Sequence, residues 1–146
     1  MALDLNPYQA ARRGIRNQYQ SQMAQNDYAR TISQQRGQRQ IADYRRDWTR
    51  TVPQFTSGYG QRGLAGPGVR SGVYARAMNQ YLGDYERNRG RMQQDYTTNM
   101  NEFRLRGGQL GAEKEQALAD VQARKARDMA LAGVYLKNLR PLYGGG

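Results

Sequence analysis

Few residues in this chain can do covalent or acid–base chemistry. None of the 146 residues is cysteine or histidine. That removes thiol nucleophiles, disulfides, zinc sites built on those ligands, and imidazole proton transfer. Carboxylates remain, but their spacing is unhelpful. Asp84 and Glu86 are two apart, as are Glu113 and Glu115, so on a helix each pair points to different faces. Asp43 and Asp47 are four apart and can share a face. Arg46 and Arg50 flank them and are expected to hold them in ion pairs. No nucleophile–base pair emerges, and the residues predict no enzyme, no cofactor and no metal site.

The glycine-rich stretch is the other place to look. Gly58-Tyr59-Gly60-Gln61-Arg62-Gly63 matches G-x-G-x-x-G letter for letter. That fingerprint needs a strand before it and a helix directly after it. Here a segment led by Pro53 precedes it, and Leu64-Ala65-Gly66-Pro67 follows. Gly63 to Gly68 has the G-x-x-x-x-G frame of a P-loop, with Val69 and Arg70 where Lys and Ser/Thr should stand. We read the stretch as a turn joining two helices, with Gly63, Gly66, Pro67 and Gly68 as its hinge.

The elements around that turn are helical. Asn6 can cap a helix and Pro7 suits its first position. Tyr8, Ile15, Tyr19, Met23, Tyr28, Ile32, Ile41, Tyr44 and Trp48 then follow mostly at gaps of three, four or seven. This predicts a helix over 7–51 with one thin apolar stripe. Pro53 is expected to close it, because the residue before a proline is pushed out of helical geometry. A Gly/Pro loop over 53–70 follows. Ser71 is the expected cap of a second helix over 72–106. Its seam reads Tyr74, Met78, Tyr81, Tyr85, Asn88, Met92, Tyr96, Asn99, Phe103, a heptad rhythm with one slip. Asn88 and Asn99 are placed to fix register. "RGGQLG" (residues 106–111) is expected to break the helix, since interior glycines each cost about 1 kcal/mol relative to alanine. A third helix over 112–139 has acids early and bases late, matching the helix dipole. Pro141 and a glycine tail (140–146) end the chain. No strand pattern is visible. The fold class is therefore all-α: an elongated helical hairpin with a long Gly-rich connection and a third C-terminal helix, forming a single elongated chain.

Composition says how such helices are held. Leu, Ile, Val and Phe number 21 of 146 residues, below the roughly 20% at which a chain can bury enough surface to offset its conformational entropy. Order is expected to come from companions. The seam residues Tyr74, Met78, Tyr81, Tyr85, Met92, Tyr96 and Phe103 are the expected partner-binding surface, since Tyr and Met suit protein contacts. The isolated chain is expected to be poorly helical or to aggregate.

The net charge is +11, with twenty arginines against three lysines. Arginine binds phosphate and carboxylate through a planar fork. Clusters at Arg12, Arg13, Arg16, at Arg45, Arg46, Arg50, and at Arg87, Arg89, Arg91 are candidates for non-specific phosphate contact. Salt bridges to an acidic partner protein explain them equally well. The N-terminus lacks a signal-length apolar stretch, and Met129 to Leu136 is too short to span a bilayer. The chain is expected to be soluble, and the basic last helix is expected to pack on a partner rather than lie on a membrane.

A Gln/Arg/Tyr-rich helix, the turn "RGLAGPGVRSGVYARAM", and a long helix carrying "YLGDYERNRGRM" resemble small helical virion proteins of tailed bacteriophages. These include internal or ejection proteins and minor neck or tail proteins. The resemblance implies a non-enzymatic structural role in many copies within the virion, with copies of itself and other virion proteins as partners and DNA nearby. It carries over no functional residue. A nucleic-acid-binding helical protein that compacts DNA by charge is the alternative.

Overall fold

The computed structural model describes residues 6–64 and 72–139. Among them there is no strand. Two helices account for nearly all: α1 (Asn6–Gln61) and α2 (Gly72–Leu139). The chain divides into two compact units, one of Ala29–Phe103 and one of Met1–Tyr28 with Arg104–Gly146.

In the Ala29–Phe103 unit the second half of α1 runs antiparallel to the first part of α2. Tyr59 meets Tyr74, Trp48 meets Tyr85, and Gly37 meets Tyr96. The residues in each helix of these pairs recur every eleven positions. An eleven-residue repeat is 3.67 residues per turn, close to the 3.6 of a straight helix, so the seam keeps to one face without a heptad's left-handed drift. The expected heptad with one slip is therefore better described as this longer repeat. Asn88 and Asn99 are exposed and off the seam, whereas Met100 is half-buried. They do not set register.

The helix does not stop at Pro53. A proline inside a helix removes one backbone bond and crowds the carbonyl four residues back, at about 3 kcal/mol. Phe55 and Tyr59 offset this by stacking on α2, Phe55 against Tyr81 at 4.6 Å. Just before the proline, the Thr49 and Thr51 hydroxyls donate to the Arg45 and Asp47 carbonyls, a local adjustment that lets a helix yield. The segment expected to be loop from residue 53 is thus helical to Gln61. Gly63 then ends α1. Its φ is +71°, a left-handed conformation that glycine adopts without a Cβ clash. The Leu64 N–H donates to the Tyr59 carbonyl at 2.9 Å and the Gly63 N–H to the Gly60 carbonyl at 3.0 Å. Those two bonds make a Schellman cap. The remaining hinge positions Gly66, Pro67 and Gly68, and the expected cap Ser71, lie outside the described residues.

In the other unit, Asn6 to Tyr28 of α1 runs antiparallel to the last half of α2. The expected break at 106–111 and a separate third helix are not found, because α2 is continuous from Gly72 to Leu139. Packing supplies the reason. A Cβ on Gly107 would sit 3.5 Å from Asn26 Nδ2, and one on Gly111 would sit 3.7 Å from Met23 Cε. These glycines receive α1 side chains, and that contact offsets their poor helix propensity. Further along, the Tyr8 hydroxyl donates to Asp128 Oδ2 at 2.5 Å.

Two substitutions in α1 should separate propensity from packing. Gly14 has open space around it, so Gly14→Ala should stabilise by up to about 1 kcal/mol. A Cβ on Gly37 would fall 2.5 Å from Tyr96 Cδ2. Gly37→Ala should therefore destabilise, by about 1–2 kcal/mol after its propensity gain. Chemical denaturation of both variants checks the contrast, and equal shifts would refute it.

The Tyr8 hydroxyl titrates above its ordinary 10.0, chiefly through the hydrogen bond to Asp128, then through desolvation and the Asp128 charge, with Arg124 opposing. A raised folded-state value means stability that is complete below about pH 10 and lost as pH climbs through the raised value. The thermal advantage of the parent over Tyr8→Phe should be level at neutral pH and shrink above about pH 10. An advantage that stays level throughout would show that this bond does not form.

Candidate protein and nucleic-acid interface

The candidate partner seam is built from rings set on facing helices. Five ring pairs cross from α1 to α2. Tyr44 stacks on Tyr85 at 5.3 Å, Trp48 on Tyr85 at 4.3 Å and on Tyr81 at 6.1 Å, and Phe55 on Tyr81 at 4.6 Å. Tyr59 meets Tyr74 edge-on at 5.6 Å. The Tyr74 hydroxyl also lies 3.3 Å from Thr56 Oγ1. Aromatic pairs of this kind contribute about 0.5–1.5 kcal/mol each beyond their buried area.

These contacts place the predicted partner-binding residues. Tyr74, Tyr81, Tyr85 and Tyr96 pack first against α1 of the same chain. Tyr85 is buried, with 8% of its surface exposed. Tyr74, Met78, Tyr81, Met92, Tyr96 and Phe103 are half-buried and keep an outward edge. A shallow groove of about 290 Å³ runs beside Trp48, Tyr81 and Tyr85, with Asp47 and Asp84 at its margin. The Trp48 Nε1–H is buried there and has no acceptor among the described residues.

Sequence reasoning named the α2 side of this seam and, on α1, the stripe residues Tyr44 and Trp48, but missed Phe55 and Tyr59, which lie in the segment expected to be loop. Trp48 and Tyr59 on α1 recur at the same interval as Tyr74, Tyr85 and Tyr96 on α2, and that shared interval was a readable signal. The small partners were harder to see. Gly37 facing Tyr96 and Gly107 facing Asn26 are knobs and recesses exchanged between helices. Isolated glycines in a polar stretch do not announce this.

All nine predicted contact arginines are exposed: Arg12, Arg13, Arg16, Arg45, Arg46, Arg50, Arg87, Arg89 and Arg91. Their engagements differ. Arg46 pairs with Asp43 at 3.5 Å, and Arg87 pairs with Asp84 one turn back. Both pairs are more than half exposed, so each contributes a few tenths of a kcal/mol at most, about 0.5. Arg89 lies over the Tyr85 ring at 5.8 Å, a cation–π contact. The Asp47–Arg50 pair expected from spacing does not form among the described residues. Arg12, Arg13 and Arg16 gather with Gln9, Asn17 and Gln20 along one side of α1. Among the described residues no carboxylate stands with them, so Arg12 and Arg16, four apart, repel one another and the cluster is open to an external anion.

The glycine fingerprint sits where a helix ends. Gly58 and Gly60 are inside the last turns of α1, and Gly63 is its cap. A phosphate loop presents the N–H groups of a helix start, so this placement is opposite to the fingerprint's geometry. No helix among the described residues is long and apolar enough to cross a membrane. No protein-family model matches the chain, and no curated protein or solved structure matches it.

Trp48 is the sole tryptophan, so its fluorescence reports the seam. Tyr85→Ala should remove both of its stacking partners' contacts, destabilise by about 3 kcal/mol and red-shift Trp48 emission. Tyr74→Ala, at the half-exposed end of the seam, should cost about 1 kcal/mol and leave the emission in place. The reverse ranking in denaturation would place the centre of the seam elsewhere.

Proposed function

We propose that this protein is a non-enzymatic structural component of a tailed-phage virion, of the internal or ejection, neck or tail type. It works there as helices packed against copies of itself and other virion proteins, close to DNA. One observation carries this reading. Among the described residues only Tyr85 and Asn26 are buried, so the two helices share a seam about one side chain thick. A domain held so thinly lies at the marginal end of stability, and lateral neighbours in an assembly supply the missing burial. The half-buried Tyr and Met edges suit protein neighbours. The exposed arginines suit acidic subunit surfaces or packaged DNA. The sequence resemblance points to the same class.

The runner-up is a nucleic-acid-binding protein that compacts DNA by charge, and the unpaired Arg12/Arg13/Arg16 cluster favours it. Each phosphate neutralised adds about 0.9 to the slope of log affinity against log salt on duplex DNA. The virion reading expects weak DNA binding by the purified chain and firm co-purification with a portal, capsid or tail protein encoded beside it. It also expects the chain in purified particles by mass spectrometry. Submicromolar DNA binding that collapses with salt, and loses about three phosphate contacts' worth of slope in the Arg12→Gln, Arg13→Gln, Arg16→Gln triple variant, would favour the runner-up. Absence from particles would end the virion reading.

A further inference from the structure

The three arginine clusters are not equivalent. Arg45, Arg46 and Arg50 share their stretch of α1 with Asp43 and Asp47, and Arg46 is paired with Asp43. Arg87, Arg89 and Arg91 share theirs with Asp84 and Glu86. There Arg87 is paired with Asp84, and Arg89 lies over Tyr85. From Asn6 to Asn26, by contrast, α1 carries Arg12, Arg13 and Arg16 and no acid. The antiparallel register brings Asp120 and Asp128 of α2 to this level, and those carboxylates accept from Gln116 and Tyr8.

The surface around Arg12, Arg13 and Arg16 is polar throughout. Gln9, Asn17 and Gln20 stand beside them, and all six side chains are exposed. At about 100° per residue the six fall within about 140° of the helix circumference, and from Gln9 to Gln20 the helix rises about 16 Å. Tyr8, Ile15, Tyr19 and Met23 lie half-buried on the side packed against α2. No large apolar side chain is exposed between Asn6 and Asn26.

We propose that this side of α1 binds the sugar–phosphate backbone of double-stranded DNA without regard to sequence. The inference rests on the placement near DNA in the proposed function and names the surface that meets it. Guanidinium forks and carboxamide N–H groups are phosphate donors. Over about 16 Å, one strand of a duplex lying alongside presents about five phosphates. An acidic protein is a poorer fit. Protein interfaces centre on apolar or aromatic anchors with charge thinned out, and this face offers no anchor. Nucleic-acid interfaces are the more polar and more basic kind. A bilayer needs an exposed apolar face on the same helix, and here that face is packed on α2. Single strands gain affinity by stacking bases on rings, and no ring is exposed here. Backbone contact with a duplex uses every group the face presents and needs none that it lacks.

Anisotropy of a short labelled duplex, titrated with the full-length chain, tests this. Binding should be micromolar, should weaken steeply between about 50 and 200 mM salt, and should be equal for duplexes of unrelated sequence. Arg12→Gln with Arg13→Gln and Arg16→Gln should flatten the slope of log affinity against log salt by about 2.7, at about 0.9 for each phosphate contact. Helix content by circular dichroism should not change. Arg45→Gln with Arg46→Gln and Arg50→Gln removes the same charge and should flatten the slope by less than about 1. Arg12→Lys with Arg13→Lys and Arg16→Lys keeps the charge and should keep the slope. No duplex binding at about 50 mM salt, or equal flattening by the two glutamine triples, would overturn the proposal. So would firmer binding of a single strand of the same length, of polyglutamate, or of phosphatidylglycerol vesicles than of the duplex. Duplex binding through this cluster by a chain absent from particles would sink only the virion role. A particle protein indifferent to duplex DNA would sink only this contact.

Discussion

One line of ring contacts carries the Ala29–Phe103 unit. Trp48 and Tyr85 lie at its centre, each touching a further ring on the facing helix. A helix pair has no second layer to share the load, so every apolar contact must fall on a single seam. Aromatic rings suit that constraint, because each covers more area per position than an aliphatic side chain and stacks in a defined geometry. Tyrosine adds a hydroxyl that can stay wet at the seam's edge while the ring is covered. This is how a chain with few aliphatic residues forms two long helices, and why so little of it is fully enclosed.

Glycine does two different things along these helices, and the contacts tell them apart. At Gly63 it supplies a left-handed conformation and ends α1. At Gly37, Gly107 and Gly111 it supplies the absence of a side chain, so that Tyr96, Asn26 and Met23 can approach the opposing backbone. At Gly14 and Gly108 nothing is near, and the structure gives no reason for the residue. The same exchange of large for small explains why α2 passes through "RGGQLG" without a break: the recesses are filled by the neighbouring helix.

Charge is arranged on the outside of this scaffold, with a few local commitments. Arg46 and Arg87 pair with acids on their own helix, and Arg89 covers the Tyr85 ring. Among the described residues, Arg12, Arg13 and Arg16 have no such neighbour. Of these arginines, Arg89 touches a ring of the seam, while the Arg46 and Arg87 pairs are exposed and lie within one helix. The apolar, uncharged end of α2 stands apart from both. Other exposed apolar side chains stand among charges, as Leu105 does between Arg104 and Arg106.

Residue types and spacing determined the helical class, the position of the aromatic face on α2, the turn near Gly63 and the outward arginines, because each follows from local periodicity or local stereochemistry. Tertiary contact decided where the helices stop. Pro53 and the glycines at 107–111 look like breakers when only intrinsic propensity is weighed. A penalty of a few kcal/mol is reversed when Phe55 and Tyr59 stack across the gap and Met23 and Asn26 settle into the recesses. It also decided what the tyrosines face. A stripe of rings reads the same whether its partner is another subunit or the chain's own second helix, and only the ring pairs across the two helices, such as Trp48 on Tyr85, distinguish the two.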